Sequence, residues 1–114
     1  MSKLWDKLIV ALDLTSQKEI QSTIKTLSPK VKKFKIGLIA YTRFGPYIVK
    51  EATKKGGQVF LDFKLYDIPN TMLQTALAFF DLDIWAFTVH IKAGKDALSF
   101  LKKELKKEAK RRKK

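Results

Sequence analysis

The chain has 114 residues, 46% of them hydrophobic and 31% charged, with a formal net charge of +13; that length allows one globular domain with a modest core. With no cysteine and His90 as the only histidine, a disulfide framework and a thiolate metal site are excluded, and no metal is expected. No apolar run approaches the ~18 residues that span a bilayer, and Met1 to Asp6 lacks the long apolar region of a signal peptide, so a cytoplasmic protein with no membrane partner is expected.

Leu8 to Leu12 is a continuous apolar run of strand length that ends at Asp13. Ser16-Gln17-Lys18-Glu19 follows as a capping box, and Ile20, Ile24 and Leu27 mark one face of a helix that stops before Pro29. Phe34 to Leu38 reads as a second, shorter strand. Gly45-Pro46 predicts a second helix with proline at its first position, buried through Ile48, Val49 and Ala52 and ended by Gly56-Gly57. The third strand is Gln58 to Leu65. Pro69 opens a third helix with Met72, Leu73, Ala76, Leu77 and Phe80 as its apolar stripe. Asp81-Leu82-Asp83 turns into a fourth strand, Ile84 to His90, and Gly94 separates it from a last helix at about 95–114. This is βα repeated four times in one domain over residues 1–114, an α/β class with a parallel sheet and helical crossovers.

A period of two assigns faces to these strands. Leu8, Val10 and Leu12 oppose Ile9, Ala11 and Asp13; Val59, Leu61, Phe63 and Leu65 oppose Phe60, Asp62 and Lys64; Trp85, Phe87, Val89 and Ile91 oppose Ala86, Thr88 and His90. The first-named sets are apolar, as a layer against helices should be. The second sets turn polar toward their C-terminal ends, where a β/α barrel places its chemistry. Asp13, Lys35, Asp62 and Lys64 are the informative exceptions, because a core-facing charge costs several kcal/mol unless it is paired. A structural salt bridge would account for any one of them; four at the same end of three successive strands point to a site. His90, at a strand end, reads as a hydrogen-bonded structural group rather than a catalyst. Thr88 reads as interior filling, and Trp85 and Phe87 as core.

From Leu101 onward nine Lys or Arg face two Glu, which places +7 of the +13 in the last helix. Leu98, Leu101, Leu105 and Ala109 recur at helical spacing, and Glu104 and Glu108 lie within pairing reach of lysines. The segment reads first as the solvated side of an amphipathic helix and only second as a nucleic-acid patch. Nucleic-acid binding through this tail stands last among the alternative readings of function.

Asp62-x-Lys64-x-x-Asp67-Ile68-Pro69-x-Thr71 resembles the signature of the orotidine 5′-monophosphate decarboxylases. Val10-Ala11-Leu12-Asp13, Lys35-Ile36-Gly37 and Thr88-Val89-His90 match the same family in order and spacing. The resemblance runs along essentially the whole chain but covers only the N-terminal half of the family's TIM (β/α)8 barrel. It implies a lyase of pyrimidine biosynthesis that converts orotidylate to UMP and CO2 without a cofactor. By resemblance, Lys35 holds a Lys-Asp-Lys-Asp array together, Asp62 faces the substrate carboxylate and Lys64 protonates the carbanion at C6. Asp67 would complete the array from the other subunit of a homodimer, Thr71 would reach the ribose, and Asp13 would bind a ribose hydroxyl.

A full β/α barrel has eight strands and typically ~250 residues. Four units would leave two apolar edges open to another chain, so completion is expected by self-association or by a complementary C-terminal half. Without the later loops that hold the phosphate in the family, the isolated chain is expected to have little or no activity. Alternatives are a structural or engineered half-barrel with idle catalytic residues, a related phosphosugar enzyme, and a flavodoxin-like rearrangement of the sheet.

Overall fold

The computed structural model describes residues 2–113. In chain order the elements are helix α1 (Ser2–Trp5), strand β1 (Ile9–Ala11), α2 (Gln17–Leu27), β2 (Lys33–Gly37), α3 (Leu38–Phe44), α4 (Tyr47–Thr53), β3 (Gln58–Leu65), α5 (Pro69–Leu82), β4 (Ala86–Val89), a 3-10 turn (Ile91–Ala93) and α6 (Lys95–Arg112). The four strands form one sheet in the order β1-β2-β3-β4, with β1 parallel to β2 and β2 parallel to β3. Sequential order is that of a strand–helix barrel wall. A flavodoxin-like sheet would place β1 between β2 and β3, so that alternative falls.

The chain forms two compact units, one of residues up to Phe63 with Leu82–Phe87, the other of Lys64–Asp81 with residues from Thr88 onward. In the first unit the register aligns Ile9 with Lys33, Val10 with Phe34, Ala11 with Lys35, and Lys35 in turn with Phe60. Parallel partners share a face. Phe34, Ile36, Val59 and Leu61 therefore form one apolar layer, and each is fully buried together with Leu12, Ile20, Ile24, Ile48, Val49 and Ala52. The opposite layer carries Ile9, Ala11, Lys33, Lys35, Phe60 and Asp62, with Ile9 43% exposed.

Local chemistry explains the helix bounds. Ser16 caps α2, its Oγ accepting the Glu19 N–H at 3.3 Å. At the other end the Ser28 hydroxyl donates to the Ile24 carbonyl and Pro29 bars another turn. Beyond α4, Gly56 adopts φ +83, and a Cβ on Gly57 would lie 2.7 Å from the Ala52 carbonyl oxygen. Both positions need glycine to bring the chain back into β3.

Four details depart from the sequence reading. The second strand stops at Gly37, and Leu38–Phe44 is a helix; its apolar and β-prone residues mask any helical period. Pro46 caps α4 instead of opening it. In α5 the fully packed residues are Met72, Ala76 and Phe79, so Phe79, not Phe80, lies deepest. Trp85 is 45% exposed and meets Phe60 edge-on at 6.3 Å, with the Lys33 ammonium 5.0 Å from its ring. It therefore stands on the Phe60 and Lys33 face, not in the layer covered by helices.

Candidate active site

β1, β2 and β3 present three charged side chains at their C-terminal ends. Lys35 Nζ lies 3.7 Å from Asp13 Oδ2 and 3.6 Å from Asp62 Oδ2, so one ammonium bridges two carboxylates. The Asp62 side chain is the most enclosed at 15% exposed, against 29% for Lys35 and 44% for Asp13. The register explains the meeting. Gly37 is the Cα partner of Asp62, and Lys35 stands two residues earlier on the same strand and face. A Cβ at Gly37 would come within 3.4 Å of Asp13 Oδ1. Sequence reasoning placed Asp13, Lys35 and Asp62 at one strand end, and the structure brings the three together.

Two carboxylates flank one ammonium here. At these separations each attraction is a few kcal/mol before desolvation and screening, and much less net at a partly exposed site. Chemically the arrangement is a fixed, oriented set of charges. It can hold a carboxylate of its own in a defined direction and answer a developing charge beside it.

Lys64 belongs to the second unit. Its backbone has φ +49 inside β3, and its N–H donates to Thr88 Oγ1 at 2.9 Å. A left-handed residue in a strand re-aims the chain as a bulge does. Alternation, which assigned Lys64 the Asp62 direction, assumes extended backbone at both residues and no longer sets the direction of Lys64. Thr88, read from sequence as interior filling, instead receives the Lys64 amide. Its hydroxyl is the signal that sequence alone undervalued.

Asp67 and Thr71 sit at the start of α5, both exposed. Asp67 Oδ1 accepts the Ile68 N–H at 2.7 Å, and the Thr71 carbonyl receives the Thr75 hydroxyl at 2.8 Å. Pro69 at the first helical position lacks the N–H that would be orphaned there. His90 caps the 3-10 turn: its Nδ1 accepts the Lys92 N–H at 3.1 Å, which leaves the proton of the neutral ring on Nε2. Tyr66 stacks on the His90 ring at 4.9 Å. Among the described residues no three His, Cys, Asp or Glu side chains are grouped as metal ligands, and no helix is long and apolar enough to cross a membrane.

Comparison with known proteins adds the family. The model of the "Orotidine 5′-phosphate decarboxylase / HUMPS family" matches residues 6–113. An orotidine 5′-phosphate decarboxylase of Syntrophomonas wolfei is 37% identical over 106 residues, covering 93% of this chain and 44% of that protein. One from Buchnera aphidicola is 44% identical over 100 residues, covering 88% of this chain and 42% of the relative. Among solved structures, the orotidine 5′-monophosphate decarboxylase of Methanocaldococcus jannaschii, complexed with the inhibitor BMP, superposes with a TM-score of 0.80 at 27% identity. It covers 90% of this chain and 48% of that one. The enzyme from Lactobacillus acidophilus gives a TM-score of 0.74 at 33% identity, over 83% of this chain and 43% of that structure. The chain thus spans less than half the length of these relatives.

Proposed function

Because the chain belongs to the orotidine 5′-phosphate decarboxylase / HUMPS family, we propose that its charged cluster serves the decarboxylation of orotidylate to UMP and CO2, a step of pyrimidine biosynthesis. The observation that carries this reading is the Lys35 ammonium held between Asp13 and Asp62 on one sheet face. The Asp-Ile-Pro-x-Thr run from Asp67 to Thr71 favours the decarboxylase over phosphosugar relatives. Asp62 faces the substrate carboxylate, and Lys35 holds its orientation. The bond from C6 to the carboxylate carbon breaks, CO2 leaves and the electron pair stays on C6. The Lys64 ammonium then delivers a proton to C6 and is reprotonated from water. Asp13 binds a ribose hydroxyl, while Asp67 and Thr71 act from a partner subunit. Charge fixed in advance of the reaction does this work without a cofactor.

Turnover requires a second four-stranded half, either another copy of this chain or a complementary C-terminal half. The apolar residues exposed on the Lys35 face, Ile9 and Trp85, support this. Remote contacts to a phosphate also drive the chemical step in such enzymes. The test is an orotidylate assay of the purified 114-residue chain, alone and mixed with the C-terminal half of a relative. Little turnover alone and clear turnover in the mixture, abolished by Lys64→Ala, is expected. Turnover that survives Lys64→Ala would overturn the assigned proton donor. A folded mixture without turnover would leave an assembly module with idle residues.

A further inference from the structure

Helix α6 carries a charge pattern that decarboxylation does not use. At 3.6 residues per turn, Lys102, Lys103, Lys106, Lys107, Lys110 and Arg111 fall within one half of the helix surface. All six are exposed, and they extend along about 14 Å of axis at 1.5 Å per residue. The other half holds the buried Ala97 and Leu101, the part-buried Leu105 and Ala109, and two of the helix's three acids, Glu104 and Glu108; the third, Asp96, is exposed on the basic half in the first turn, ahead of Lys102. Glu108 is turned inward, where Arg111 and Arg112 hydrogen-bond it, and Arg112 also binds Asp81 at 2.7 Å and lies over the Phe80 ring. Glu104 reaches Lys107 at 3.6 Å. Lys102, Lys103, Lys106 and Lys110 have no acidic partner among the described residues. The fold thus does more than expose a basic helix. It turns Glu108 toward the protein and leaves Lys102, Lys103, Lys106 and Lys110 as the unpaired part of the outer face, with Glu104 set against Lys107.

We propose that this face of α6 is a sequence-independent binding surface for the phosphate backbone of double-stranded nucleic acid. A helical row of exposed cationic groups matches a polymer that carries about one charge per 1.7 Å of axis, and binding is driven by release of its condensed counterions. A membrane surface fits less well. An interfacial helix buries an apolar face in the lipid, and here that face is packed into the protein. The proposal stands apart from the decarboxylation reading and does not depend on it.

The experiment measures anisotropy of a labelled duplex of arbitrary sequence, titrated with the full chain over a range of salt. Log affinity should fall with log salt at a slope of about −4, near 0.9 per phosphate contact. Replacing Lys103, Lys106, Lys107 and Lys110 together by Gln should weaken binding at least ~30-fold at about 0.1 M salt and flatten the slope by about 3. Arginine at the same four positions should restore both. A control set of the same charge, Lys7, Lys18, Lys25 and Lys55 to Gln, should change affinity by less than ~3-fold. Equal losses from both sets would reduce the effect to net charge and overturn the site. So would a duplex that does not bind, or phosphatidylserine vesicles captured through the four lysines in preference to duplex. Circular dichroism of each variant verifies that α6 still folds.

Discussion

A Cβ at Gly37 would lie 3.4 Å from Asp13 Oδ1 and 3.8 Å from the Asp62 carbonyl oxygen, with an ordinary backbone φ of −106°. Both are ordinary van der Waals contacts, so neither lack of space nor a left-handed conformation demands glycine here. Alanine ordinarily favours a strand by about 0.5–1 kcal/mol over glycine. Gly37→Ala is therefore expected to be neutral or to stabilise by up to about 0.5–1 kcal/mol, by the same amount with Asp13 present and in an Asp13→Ala background. Denaturant midpoints of the four chains measure any difference between the two backgrounds. A loss of stability confined to the chain that keeps Asp13 would show instead that a Cβ at this position crowds the Asp13 carboxylate. Lys64 illustrates the opposite case: its left-handed backbone and its amide bond to Thr88 are individual properties of one residue. No spacing rule announces them.

Elements show how charge is distributed by folding. In α6, the Glu108 carboxyl is held down to about 2 by hydrogen bonds from Arg111 and Arg112. Its ordinary value is 4.5, so the folded state prefers the ionised form. The stabilisation is present above about pH 4.5 and is lost as pH falls toward 2. Glu108→Gln should therefore unfold more easily than the parent at neutral pH, and the gap should close on acidification through that window. Thermal melts at a series of pH values read this directly; a constant gap would show that Glu108 contributes through packing instead. In the first unit, Glu51 on α4 is a second carboxylate that sequence reading passed over. It is buried, and the Tyr47 hydroxyl and then Lys54 favour its charged form against the cost of burial. Gln21 of α2 donates to the Tyr47 oxygen at 3.1 Å, so two helices share this polar contact.

For the whole molecule, the parallel sheet in sequential order leaves β1 at one edge, with Ile9 exposed on the face that carries Lys35. An apolar edge strand is a template for another chain. We expect sedimentation at micromolar concentration to give a dimer or larger assembly. Ile9→Lys should shift dissociation to at least ~10-fold higher concentration while leaving the far-ultraviolet spectrum intact. A well-folded monomer of the parent chain at that concentration would contradict the self-association proposed for turnover.

Several features were written in the residues. Pro69 opens α5 because its missing N–H suits a first turn, and Gln58 to Leu65 is the strand its β-prone residues suggest. Four alternations of apolar run and amphipathic stretch define the βα repeat, and the run from Asp62 to Thr71 marks the family. These are local properties of covalent geometry, period and motif. Tertiary structure alone decided that Trp85 faces Phe60 and that Leu38 leaves the strand for a helix. It also brought Asp13 and Asp62 to either side of Lys35 and turned Glu108 of α6 inward. The physical reason is common to all four. A side chain's period says which neighbours share its face, but which face is covered, and which charge finds a partner, depends on strand register and on groups distant in the chain.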